Sequence, residues 1–166
     1  MTDHDSPATP VRDSLSAASS YIDRVDLLPL GVGPSWAAIR AEAAVEILGR
    51  TAWVRVPSAS DLVPGVMAFR GRAVAVLDLG AALPDLSPLA TGAMRDRVVV
   101  ARSALGMLAI PVDHVHEVVS VPASEVREAT LTRGTSFEVV IEDVPMPLVD
   151  LEGILASRGL TTGDVR

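Results

Sequence analysis

Three aspartates at the ends of apolar runs, Asp78, Asp113 and Asp150, are the side chains whose type and placement could do chemistry in this 166-residue chain. Carboxylates at strand ends can act as general acids, general bases or metal ligands. Their structural role would be to cap the turn that follows, by accepting hydrogen bonds from its exposed amides. Neither Asp78 nor Asp150 is followed by the Thr-Gly or Ser-Gly of an aspartic protease, so capping is the favoured reading. The catalytic alternative is a small β-barrel hydrolase using Asp78, Asp113 and Asp150, and it requires at least two of them to converge in one pocket. His114 and His116 straddle Val115, which on a strand turns both imidazoles to one face, as two metal ligands would be. Asp113 and Glu117 lie at odd offsets from that pair and face the other way, so an exposed polar face is expected, with no metal and no cofactor. Gly31-Val32-Gly33-Pro34 resembles a phosphate loop only superficially; the Gly-Lys-Ser/Thr ending is missing, and a hairpin turn explains it better. There is no Gly-x-Ser-x-Gly, and no Ser-His-Asp arrangement can be drawn. Arg70-Gly71-Arg72 is the segment least explained by packing, because two guanidinium groups flank a glycine between two apolar strands. Either this is a plain β-turn with solvated charges, or Arg70 reaches across the domain to a carboxylate.

The elements that must position these residues follow from composition and pattern. The chain has 21 Asp+Glu against 14 Lys+Arg, 49% hydrophobic residues and no cysteine. Its acidic balance and five aromatic side chains disfavour nucleic acid, which needs basic and stacking surfaces. Without cysteine there are no disulfides, thiolate zinc sites or cysteine nucleophiles. No apolar run approaches the roughly eighteen residues needed to span a bilayer, and Met1-Thr2-Asp3-His4-Asp5 lacks the basic start of a signal peptide. All the basic residues are Arg, whose planar fork of donors favours bidentate pairing. A chain of this length can bury a core large enough to need no staple.

Residues 1–20 mix Ser, Thr, Asp, Pro and Ala and are expected to be a disordered tail, with the domain over 21–158 and a second tail over 159–166. From Tyr21 onward, short apolar segments alternate with Gly, Pro, Ser and Asp at spacings of about ten residues, the pattern of a sandwich or barrel. Expected strands are Val25–Val32, Trp36–Ile39, Ala52–Val56, Gly65–Phe69, Arg72–Leu79, Arg97–Ala101, Leu105–Val112, Val115–Val121, Phe137–Ile141 and Pro147–Asp150. Valine occurs 24 times, and β-branched side chains suit a pleated surface. Ala37–Leu48 is Ala-rich with apolar residues four apart, so local propensity alone makes it a helix. Leu151–Ser157 reads as a short helix capped by Asp150. A faint echo links Ala75–Leu83 to Pro147–Leu155, each an apolar strand followed by Asp-Leu and a turn closed by Leu, as two related barrels would produce.

These motifs, in order, resemble the CheW family of bacterial chemotaxis coupling proteins. Val54–Leu83 resembles that family's proline-containing loop, Gly-Val-Ile-Asn-Leu-Arg-Gly block and Val-Ile-Asp-Leu strand end, with the block standing here as Gly65-Val66-Met67-Ala68-Phe69-Arg70-Gly71. Pro111–Val118 resembles its Val-Asp-x-Val-x-x-Val signature, and Val149–Leu155 its Leu-Asp-Leu-x-x-Leu-Leu ending. Arg97–Val100 is similar to the strand after the middle loop, and Val45–Gly49 to Gln-Glu-Ile-Arg-Gly. The likeness extends over residues 25–157. Ala68 and Phe69 depart from Asn-Leu, Leu48 from Arg and Ala75 from a usual proline, while Ala109 and Pro111 stand in a strand that usually begins Gly-Leu-Leu, and Pro111 restricts that strand to an unpaired position or a bulge.

The resemblance implies an all-β fold of two intertwined five-stranded SH3-like barrels with a short C-terminal helix. It makes Ala37–Leu48 a strand, a tight turn and a second strand. It implies no enzyme activity. The implied role is an adaptor that couples the cytoplasmic tip of a chemoreceptor (a methyl-accepting chemotaxis protein) to the regulatory domain of a CheA-type histidine kinase. Such a protein is cytoplasmic, stands at membrane-associated receptor arrays and does not insert in the membrane. Matched by motif, Glu46 and Arg70 are a charged pair bracing a receptor-side groove, Gly65 and Gly71 permit the turns around it, and Val112, Val115 and Val118 stand beside it. The departures leave a scaffold that binds only one of the two partners as an alternative.

Overall fold

A computed structural model describes residues 23–57, 59–90, 93–128 and 137–159. The tail expected over 1–20 lies outside them, as does all but Gly159 of that expected over 159–166. The described residues begin with β1 (Arg24–Val32) and β2 (Ser35–Arg40), then turn through a single 3-10 turn at Ala41–Ala43 into β3 (Ala44–Leu48). β4 (Val54–Arg55), β5 (Gly65–Phe69) and β6 (Arg72–Val76) follow, then a one-turn helix α1 (Leu79–Ala82). β7 (Arg97–Ser103) and β8 (Gly106–Val112) form a hairpin, and β9 (His114–Val115), β10 (Val119–Pro122), β11 (Arg127–Glu128), β12 (Phe137–Ile141) and β13 (Val144–Leu148) complete the strands. Helix α2 (Leu151–Ser157) closes the fold.

Among the described residues the strands form two sheets. One has seven strands, with β9 pairing on β1 beside the order β10-β1-β2-β13-β12-β11; the other has six in the order β3-β7-β8-β6-β5-β4. Setting aside the two-residue strands β4, β9 and β11 leaves five in each, the two five-stranded barrels expected. The chain starts in the first sheet, builds the second, and returns to the first between β8 and β9, so the barrels are intertwined. Each sheet contains one parallel pair, β13 with β2 and β6 with β8. β6 and β13 are the strands of the sequence echo, and each runs into an aspartate that heads a short helix. The echo is therefore the repeat of the two barrels.

Three cores explain why the apolar runs are continuous rather than alternating. On β7, Val98 and Val100 fill the second barrel while Val99 and Ala101 face the core shared between barrels. On β2, Ala38 and half-buried Trp36 belong to the first barrel, while Ala37 and Ile39 join the shared core. A strand covered on both faces must be apolar at every position. Leu79, Leu151, Ile154 and Leu155 bring both helices into the shared core.

Ala37–Leu48 is strand, 3-10 turn and strand, as the family resemblance implies and local propensity alone does not, because burial of both faces of β2 overrides alanine's helix preference. Several boundaries differ from expectation. The strand expected over Val115–Val121 breaks at 116–118: the His116 amide still donates to the Pro29 carbonyl of β1 at 3.0 Å, and the chain then leaves β1 before returning to it through β10. The strand expected over Ala52–Val56 is reduced to β4, and that over Arg72–Leu79 ends at Val76, its last residue joining α1. Pro111 pairs with Val98 across the β7 ladder. Its missing amide points to the opposite side, beyond the last β6 pair at Ala109 and before the Asp113 amide meets the Gly31 carbonyl at 2.8 Å. That is the unpaired position a proline requires.

Candidate functional site: the Arg70 hairpin and its groove

β5 and β6 pair in register from Gly65↔Val76 to Phe69↔Arg72, which leaves Arg70 and Gly71 as a two-residue turn. Both have positive φ, 47° and 76°, the primed turn that matches strand twist. Glycine tolerates this conformation freely, whereas an arginine held there costs of order 1 kcal/mol. Two contacts hold the Arg70 side chain. Its Nη2 donates to Glu46 Oε2 at 2.5 Å, and its guanidinium lies 5.1 Å from the centre of the Phe69 ring.

Glu46 sits on β3, the edge strand at the far end of the six-stranded sheet from the β5–β6 hairpin. The ion pair therefore spans the seam where the sheet curls around Met67, Phe69, Val74, Val98 and Val100. With Arg70 71% exposed and Glu46 35% exposed, solvent screening limits the pair to less than about 1 kcal/mol. Its effect is geometric, holding one cation at a fixed place on an apolar rim. Phe69 supplies the ring against which the cation rests. In the sequence it stood out only as a departure from the motif it resembles.

Beside the turn lies a groove of about 860 Å³ with Phe69, Val74, Leu105, Met107, Leu108 and Leu155 in its lining and Arg70 and Arg72 on its rim. Gly71 takes the turn conformation expected of it. Gly65 does not; it lies within β5, where a Cβ would fall 2.1 Å from the Val54 carbonyl oxygen and 2.7 Å from the Trp53 ring, so it permits close approach of β4. The three valines are elsewhere. Val112 is 0% exposed in the shared core, which leaves it no surface to offer a partner. Val115 is half-buried and pairs with Leu30 on β1, while Val118 is 56% exposed. None of the three lines the Arg70 groove. The residues matched by motif thus fall into two groups, the β5–β6 hairpin with Gly65, Arg70, Gly71 and its ion-pair partner Glu46, and the β8–β10 segment.

The three aspartates do not converge. Asp78, 5% exposed, accepts from the amides of Gly80 at 2.9 Å and Leu89 at 2.8 Å, capping α1 and pinning the loop after it. Asp113 accepts from the Gly33 amide at 2.6 Å and pairs with Arg95, which also donates to the Ser87 carbonyl at 2.6 Å. Asp150 occupies the N-cap position of α2 but its carboxylate makes no capping hydrogen bond. It lies instead over Gly153, where a Cβ would come within 2.4 Å of Oδ2. This corrects the expectation that it caps through its side chain, and the dispersal removes the hydrolase alternative. Among the described residues no three His, Asp or Glu side chains gather as metal ligands around His114 and His116 or elsewhere. No helix among them is long and apolar enough to cross a membrane.

Arg95 had no signal in the sequence, because its partners are distant along the chain and the clamp exists only once the crossover from β8 to β9 is formed. It joins the loop before β7 to the crossover and, through Asp113, to the β1–β2 turn.

Residues 26–159 match the family model described as CheW-like domain. No curated protein matches the sequence. Among solved structures, the fold is similar to that of the scaffolding protein TtCheW from Thermoanaerobacter tengcongensis, with a TM-score of 0.67, 14% identity, and coverage of 79% of this chain and 92% of that one. Two five-stranded barrels sharing a core, and a family match over most of the chain, place this protein in the CheW-like domain family.

Proposed function

We propose that this protein is a non-catalytic adaptor that couples the cytoplasmic tip of a chemoreceptor to the regulatory domain of a CheA-type histidine kinase at membrane-associated receptor arrays. The observation that carries the reading is the Arg70 turn. A left-handed arginine, braced by Glu46 and Phe69, is held at the rim of an apolar groove, and the two weak contacts do no more than offset the strain of the turn. Strain at an exposed turn is tolerated where the placed side chain has a task. An amphipathic receptor helix laid into the groove would bury apolar residues against Leu105 and Met107 and meet the two arginines with its polar flank. Val115 and Val118 belong to a second contact region beside β1, and buried Val112 supports it from beneath. Among the described residues no three carboxylate or histidine side chains gather as metal ligands.

The experiment is a binding titration against a receptor cytoplasmic fragment and, separately, against the kinase regulatory domain. Arg70→Ala is expected to weaken receptor binding about tenfold, as loss of a central anchoring arginine does, and to leave kinase binding within about twofold. An unchanged receptor affinity contradicts the assignment of the groove. Binding of only one partner by the wild-type chain would make it the single-partner scaffold that Ala68, Ala109 and Pro111 raise as an alternative.

A further inference from the structure

The first barrel carries a second cleft, away from the Arg70 groove. The indole of Trp36 on β2 and the imidazole of His116 meet edge to face, with centroids 6.4 Å apart and planes at 82°. Pro29 and Met146 join them, and Ile141, Glu142 and Val144 from the β12–β13 hairpin complete the lining. The space measures about 250 Å³, below the roughly 300 Å³ at which sites for whole small molecules begin. It suits one side chain.

Its charge is of one sign. Glu142 and Asp143 form the hairpin turn, both with positive φ at 51° and 64°, although neither is glycine. Among the described residues neither carboxylate has an ion-pair partner. Glu142 lines the cleft, and exposed Val140 and Val144 flank the turn. An aromatic wall, an apolar floor and one unpaired carboxylate at the rim complement a side chain with an apolar stem and a cationic, planar head.

We propose that the Trp36–His116–Glu142 cleft receives an arginine side chain presented by a protein partner, its stem on Met146 and Pro29, its guanidinium against the indole and paired with Glu142. This goes beyond the receptor groove, since it uses residues of the other sheet and holds whichever protein supplies the arginine.

The chain contains two tryptophans, Trp36 in the cleft and Trp53 in the other barrel, so one reports and one controls. The indole N–H signals of the full chain are followed by NMR during titration with N-acetyl-arginine amide and, in parallel, with the citrulline analogue, which has the same shape without the charge. Trp36 is expected to shift saturably with a dissociation constant of about millimolar order, the range one side chain reaches, and Trp53 to stay fixed. The citrulline analogue, and arginine amide on Glu142→Gln, should each bind about fivefold or more weakly, the effect of losing one charged contact. Glu142 is exposed in a turn, so this substitution leaves the core intact. Equal binding of the neutral analogue, unaltered affinity in Glu142→Gln, equal shifts at both indoles, or no saturable shift overturns the proposal. A Trp36 shift that grows with protein concentration without any probe would identify a second copy as the occupant and also overturn it.

Discussion

Arg70 combines an unfavourable backbone with a weak ion pair, and two substitutions separate these contributions. Arg70→Ala and Arg70→Gly both lose the contacts to Glu46 and Phe69, but only glycine relieves the left-handed turn. Urea unfolding should therefore find Arg70→Gly more stable than Arg70→Ala by about 1 kcal/mol. The reverse order would mean that the turn is not strained. Arg70 was legible in the sequence as a charge that packing did not explain, and its match to Glu46 came from the family motif. Phe69 and Arg95 were not legible as site residues. A ring beneath a guanidinium depends on a turn conformation, and an ion pair over a crossover depends on topology, neither of which leaves a local pattern.

The repeated strand-Asp-helix unit predicts a contrast between its two aspartates. Asp78 is buried and satisfies two amides, so Asp78→Ala should cost about 3 kcal/mol, the loss of charged hydrogen bonds from buried donors. Asp150 is exposed and caps nothing through its side chain, so Asp150→Ala should cost less than about 0.5 kcal/mol. Equal losses in thermal or urea unfolding would show that the two helices start alike. Sequence alone read both as caps, because the pattern is the same; what differs is the loop carrying Leu89, which folds back over only one of them. The strands Gly65–Phe69 and Phe137–Ile141 were legible to the residue, since turn residues bound them on both sides. Ala37–Leu48 was legible through the family resemblance and not from its local pattern. Its alanines favour a helix locally, and only the two cores that β2 separates make it a strand.

The two barrels share a core, and the Arg95–Asp113 clamp ties that core's surface to the loop before β7 and to the β1–β2 turn. Asp113→Ala leaves a largely buried guanidinium without its carboxylate and should cost about 2–3 kcal/mol, toward the lower end for breaking a buried pair. It should also speed hydrogen exchange at the Gly33 amide selectively, while β7 amides keep their relative protection. Uniform acceleration across both barrels would mean that the clamp has no local role. The adaptor reading depends on the same architecture, because an adaptor works by holding two contact faces in fixed relation. Its most direct test is co-sedimentation of the kinase regulatory domain with receptor cytoplasmic fragments assembled on vesicles, with and without this protein. The kinase domain should pellet only when the wild-type chain is present, and Arg70→Ala should reduce that recruitment about tenfold while still binding the kinase domain in solution. Recruitment that is the same without the chain, or unaffected by Arg70→Ala, would contradict coupling through the Arg70 groove.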